Sequence, residues 1–228
     1  MGTEVLKYHT VLFDLDGTLT DSQEGITKCV HYALQHFGIE ETDYEKLKLF
    51  IGPPLDDMFM EIYGFTKEQA VEARWKYRER FQTVGMFENS PYEGIIDMLA
   101  DLKKAGVKLA VATSKPEHFS RKILDKFQMT PYFDAISGAD MDGNHVSKPE
   151  MIREAMRRLG KDIQDIEGVL MVGDRKFDVE GAHECGMPCV GVRFGFAKPG
   201  ELEDAGAEYI VETVAELKQL LLDICSPA

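Results

Sequence analysis

Residues Thr10–Ser22 read TVLFDLDGTLTDS. The stretch begins with Thr10, Val11, Leu12 and Phe13, β-branched and apolar on consecutive positions, as in a strand covered on both faces. Then the character changes. Asp14 and Asp16 stand two residues apart, so on an extended chain their side chains point the same way. Gly17 follows and lets the chain turn sharply. A buried strand that ends by presenting two carboxylates on one side is the feature from which the rest of the sequence is read.

Outward from this stretch, short β-rich runs alternate with helix-period segments. Strands are expected at 10–15, 107–113, 135–138, 168–172, 188–193 and 209–211. Between them Ile95, Met98, Leu99 and Leu102 recur at helical spacing, as do Met151, Ile152, Ala155, Met156 and Leu159, and Val214, Leu217, Leu220, Leu221 and Ile224. Gly106 and Gly160 close the first two. This alternation predicts an α/β fold, a doubly wound parallel, Rossmann-like sheet. From Asp21 to about Gly85 the rhythm breaks and only helices are expected. Ile26, Cys29, Val30, Ala33, Leu34 and Phe37 form one stripe, "GPPL" (52–55) opens a short helix, and Thr66–Gln82 is another. The expected organisation is a catalytic core of residues 1–20 and 86–228, with an inserted α-helical cap domain of residues 21–85.

Bulk composition narrows the function. The 228 residues carry a net charge of −14, and an acidic surface repels nucleic acid and anionic membranes. No apolar run approaches the ~18 residues of a membrane span, and the first fifteen residues lack a secretory-signal pattern. Cys29, Cys185, Cys189 and Cys225 have neither disulfide-framework nor zinc spacing. A cytoplasmic protein with free thiols is expected, a monomer or weak dimer.

In open parallel sheets ligands bind beyond the carboxyl ends of the strands. The first strand ends in Asp14 and Asp16, the second in Thr113 and Ser114. Lys148 opens the helix after the third. The fourth ends in Asp174, with Asp178 four residues on. Taken in this order, "DLDGTL", "VATS", "SKP" and "GDRKFD" resemble the haloacid dehalogenase-like superfamily, and the helical insert resembles its phosphoglycolate phosphatase, 5'-nucleotidase and β-phosphoglucomutase branch.

The resemblance implies a phosphatase of small phosphorylated metabolites. Asp14 would be the nucleophile that forms an aspartyl phosphate, and Asp16 the general acid and then the general base. Thr113, Ser114 and Lys148 would bind phosphoryl oxygens. Asp14, Asp174 and the main-chain carbonyl of Asp16 would hold Mg²⁺; hard oxygen ligands suit it better than zinc. Asp178 would act through a water or Lys148. Where many phosphoglycolate phosphatases carry a small polar residue after Gly-Asp, this chain has Arg175 and Lys176. His31, His36, His118, His145 and His183 match no motif and are expected as surface or packing residues.

For the cap, Leu55 and Arg78 are the specificity candidates. On the helix 66–82, Val71, Trp75 and Arg78 are placed on one stripe with Arg74 at its edge, and Lys76 and Arg80 on the solvated side. Arg78 is either a snorkelling or ion-paired side chain or a cation for a second anionic part of the substrate. A phosphomutase of the β-phosphoglucomutase type and an inorganic pyrophosphatase are the alternatives. A dehalogenase would not need Asp16, and a binding protein on this scaffold would be expected to have lost one of Asp14, Asp16, Lys148 or Asp174.

Overall fold

A computed structural model of the chain describes residues 8–141, 147–162 and 165–225; His145 lies outside the described residues. The elements in chain order are β1 (Thr10–Phe13), β2 (Thr20–Asp21), α1 (Gln23–His36), α2 (Tyr44–Leu47), α3 (Leu55–Tyr63), α4 (Lys67–Phe81), β3 (Ser90–Pro91), α5 (Ile95–Lys104), β4 (Lys108–Pro116), α6 (Glu117–Lys126), β5 (Ala135–Ala139), α7 (Lys148–Arg158), β6 (Val169–Gly173), α8 (Lys176–Glu184), β7 (Cys189–Val192), α9 (Glu201–Asp204), β8 (Tyr209–Val211) and α10 (Val214–Ile224). Short 3₁₀ turns lie at Lys48–Phe50, Gly85–Phe87 and Thr130–Tyr132. The chain divides into two compact units, Met1–Leu19 with Pro91–Ala228, and Thr20–Ser90.

The first unit is built on a six-stranded sheet of order β5-β4-β1-β6-β7-β8, with every described pair parallel. β1 is central because it can be buried on both faces. Val11, Leu12 and Phe13 are wholly inaccessible to solvent, and Leu12 packs in a cluster with Ala110, Met171, Ile152, Ala155, Met156 and Val179. Burying a side chain of this size contributes about 1.5–3 kcal/mol, enough to offset the ~1–2 kcal/mol of fixing its backbone. The strand order reverses at β1, its neighbours β4 and β6 lying far along the chain. That is the topological switch point at which open α/β sheets bind ligands.

Register then sets what meets there. Phe13 pairs with Val111 on one side and Val172 on the other. Two residues further on, Thr113 and Asp174 reach the same level beside the Asp14–Asp16 segment. β1 is shorter than the expected 10–15, ending at Phe13, because the carboxylate-bearing residues leave the ladder. β4 runs longer than the expected 107–113, reaching Pro116 through an irregular register between Thr113 and Pro116.

The second unit is helical. Its α1 buries Ile26, Cys29, Val30, Ala33 and Leu34. The face α4 buries is Ala70, Ala73, Tyr77, Arg78 and Phe81, which corrects the stripe expected through Val71 and Trp75. Trp75 is 53% exposed. The two alanines carry too little hydrophobicity to reveal the face in the sequence, yet their small size suits close helix packing. Arg80 is not simply solvated: Glu88 takes its guanidinium at 2.7 Å. Leu55 opens α3 right after the Pro-Pro break and is half-buried. Thr66 caps α4 in a reciprocal capping box with Gln69. Thr66→Ala should lower the unfolding free energy of the helical unit by about 1 kcal/mol, and Thr66→Ser should recover most of it; urea denaturation followed by circular dichroism measures both.

Candidate active site

The carboxyl edge of the sheet gathers the charged residues of four separate sequence segments. Asp14 follows β1, its N–H donating to the Val172 carbonyl at 3.0 Å. Asp174 follows β6 and is fully buried. It accepts the Phe196 N–H at 2.8 Å and the Thr18 hydroxyl at 3.3 Å. Asp178, in the first turn of α8, accepts the Arg175 N–H at 3.0 Å. Lys148 begins α7 behind the Ser147–Glu150 capping box. Its ammonium sits 2.8 Å from Asp14 Oδ1 and 2.7 Å from Asp178 Oδ1, and donates to the Ala112 carbonyl at 3.1 Å. Thr113 is buried, and its hydroxyl accepts the Lys115 N–H. Ser114 is half-buried beside it.

Gly17 makes the arrangement possible. Its φ of +82° lies in the left-handed region, and a Cβ there would overlap the Asp174 carboxylate. Only glycine lets the turn after Asp16 pass so close to the end of β6.

One ligand oxygen each from Asp14, Asp174 and Asp178 lies within 4.8 Å of the others, all buried. At an effective dielectric near 20, each pair of like charges so placed repels by about 3–4 kcal/mol. The charge-bearing states respond accordingly. Burial, reinforced by the charges of Asp178 and Asp14, pushes the Asp174 carboxyl well above the ordinary range. Burial pushes Asp178 up to about 6, against the opposing pull of Lys148. Burial alone would lower Lys148; the charges of Asp14 and Asp178 outweigh it and hold the ammonium above its usual value. Fully ionised, three carboxylates against one ammonium leave two negative charges. A divalent cation fits that deficit.

The side chain of Asp16 is not in this cluster. Its Oδ2 pairs with Lys115 at 2.6 Å, and its Oδ1 is buried with no hydrogen-bond partner among the described residues. Lys115, Thr18 and the Phe196 N–H were missed in the sequence. The first two had a signal: Thr18 adjoins the aspartate pair, and Lys115 sits two residues beyond Thr113 on the same strand. Phe196 had none, since its role is a main-chain one from a loop. Arg175 turns to Glu201, their buried side chains meeting at 2.8 Å. In the helical unit, Arg78 is 6% exposed and lies over the Trp75 ring, 5.4 Å from its centroid. Of the histidines, His36, His118 and His183 are exposed, and His31 stacks on Tyr44. All four cysteines are free and buried. No described helix is long and apolar enough to cross a membrane.

The model of the haloacid dehalogenase-like hydrolase family matches residues 11–192, and the chain belongs to that family. It is 43% identical over 221 residues to a 5'-nucleotidase of Pseudomonas aeruginosa, covering 97% of this chain and 99% of that one. It is 36% identical to the tyrosine-protein kinase PtkA of Mycobacterium tuberculosis, over 92% of this chain and 72% of the other. The crystal structure of a "predicted phosphatase" from Clostridium acetobutylicum superimposes with a TM-score of 0.90 at 48% identity, covering 95% and 99% of the two chains.

The charge deficit yields a measurable expectation. A divalent cation added to the chelated protein should raise its thermal stability, by about 2.7 kcal/mol at a hundredfold excess over Kd. Asp174→Asn should abolish that rise, as followed by differential scanning calorimetry.

Proposed function

We propose that the chain is a Mg²⁺-dependent phosphatase of small phosphomonoesters, a phosphoric monoester hydrolase that works through an aspartyl phosphate on Asp14. The observation that carries this reading is the buried triad of Asp14, Asp174 and Asp178 with its uncompensated charge at the sheet's switch point. Hard oxygen donors favour Mg²⁺, which Asp14, Asp174 and the Asp16 main-chain carbonyl would hold. When bound, it supplies the positive charge that lets an anionic phosphate approach carboxylates.

The chain's own groups divide the chemistry. Asp14 attacks phosphorus, and Asp16 gives its proton to the leaving oxygen as the ester bond breaks. In the second step Asp16 takes a proton from water, the water oxygen bonds to phosphorus, and the bond to Asp14 breaks. Thr113, the Ser114 amide and Lys148 stabilise the charge that develops on the phosphoryl oxygens. Asp178 holds Lys148 in place. The helical unit acts as the cap, with Leu55 and Arg78 as its specificity candidates. Leu55 is the better of the two, because Arg78 is largely buried.

The similarity to a protein named a tyrosine kinase favours one further reading, in which the phosphoryl group passes to an acceptor hydroxyl instead of water; the first step is the same. A panel of nucleoside monophosphates, phosphoglycolate, sugar phosphates and pyrophosphate, with Mg²⁺, tests both when phosphate release and acceptor phosphorylation are measured together. Phosphate release should dominate, and a chelator should stop it. Asp14→Asn should fall to background on every substrate while keeping the wild-type circular dichroism; retained turnover overturns the covalent route. Leu55→Ala should reorder the panel by about tenfold in kcat/KM, roughly 1.4 kcal/mol, and a uniform loss would make the position structural.

A further inference from the structure

Ser-Lys-Pro occurs twice in the chain, at 114–116 and at 147–149. Both copies stand where a helix starts. Pro116 is the N-cap of α6 and Pro149 lies in the first turn of α7. Both deliver a lysine to a buried aspartate of the same β1 turn: Lys148 to Asp14 at 2.8 Å and Lys115 to Asp16 at 2.6 Å. Of the two lysines, only Lys148 has a role in the reaction proposed above.

Lys115 reaches Asp16 through a specific distortion. Between Thr113 and Pro116 the pairing of β4 with β5 slips. The Lys115 N–H folds back onto the Thr113 hydroxyl at 3.3 Å, and Ser120 in α6 donates to the Pro116 carbonyl at 3.2 Å. Irregularities of this kind re-aim a side chain next to active sites. The lysine and aspartate side chains are 6% and 10% exposed. A pair so buried costs desolvation that its attraction only partly returns, so it is weak as a stabilising device. What it does is geometric. It fixes Asp16 by Oδ2, and leaves Oδ1, buried and without a hydrogen-bond partner among the described residues, as the oxygen available for proton transfer.

We propose that Lys115 is a positioning residue for Asp16: it pins one carboxylate oxygen so that the other faces the reacting water or leaving group. The inference rests on the proposed role of Asp16 in the phosphatase reaction. Its consequence differs between the two steps. A nitrophenolate leaves without needing a proton, so attack by Asp14 proceeds even when Asp16 is poorly aligned. Hydrolysis of the aspartyl phosphate still requires Asp16 Oδ1 to accept the proton of the attacking water as the phosphorus–Asp14 bond breaks.

The test is rapid acid quench of the full-length Mg²⁺ enzyme with nitrophenyl phosphate, following the nitrophenolate burst and the acid-stable, hydroxylamine-labile phosphoprotein. Lys115→Met keeps the stem and removes the charge. It should slow turnover about tenfold to a hundredfold, leave the burst rate near wild type and make phosphoprotein accumulate. Lys115→Arg should recover most of the loss. Equal slowing of burst and turnover, no accumulation, or no rescue by arginine would overturn the proposal. Asp16→Asn, run alongside, separates the two levels of inference. If it accumulates phosphoprotein and Lys115→Met does not, Lys115 is structural and the role of Asp16 stands. If neither accumulates it, the role of Asp16 fails and this proposal with it.

Discussion

Carboxylates resist being buried together, and this protein buries three within 4.8 Å of one another. The repulsion is several kcal/mol, comparable to a large fraction of the net stability of an ordinary domain. Such a cluster needs a frame too stiff to let its members drift apart, and internal cations to hold part of the charge. The central strand with its inaccessible Val11, Leu12 and Phe13 supplies the first, and the Lys148 bridge between Asp14 and Asp178 the second. The charge that remains is the affinity for a cation, stored as repulsion in the folded chain.

The parallel sheet makes this possible by alignment rather than by any single contact. Because neighbouring strands run the same way, their carboxyl ends emerge on one edge, and residues distant in sequence arrive there without a dedicated loop. Thr113 and Asp174 are brought beside the Asp14–Asp16 turn by register alone. Hydrogen bonds then set orientation: the Phe196 N–H and the Thr18 hydroxyl fix Asp174, and the Arg175 N–H fixes Asp178.

Much of this was legible because it depends on local pattern. The run ending in Asp14, the glycines after helices and the position of Asp174 just past β6 are one-dimensional signals, and all six core strands were located to within a few residues. Less legible was whatever depends on a third dimension. The buried face of α4 is made partly of Ala70 and Ala73, which hydrophobic periodicity hardly registers. Arg80 looked solvated because its partner Glu88 lies beyond the helix. Lys115 was hidden by the slip in β4, and the Phe196 amide carries no side-chain signature.

The main-chain link between Tyr92 N–H and the Leu19 carbonyl, 3.2 Å long, joins the two points where the core's chain is interrupted by the roughly 70-residue helical unit. To the sheet, that unit is a loop whose ends are already tied. Lengthening a tied loop from a short turn to this size costs only about 2–3 kcal/mol of closure entropy, and a segment that packs its own interior meets that cost itself. The insert can therefore change in length at little cost to the core that carries the carboxylates.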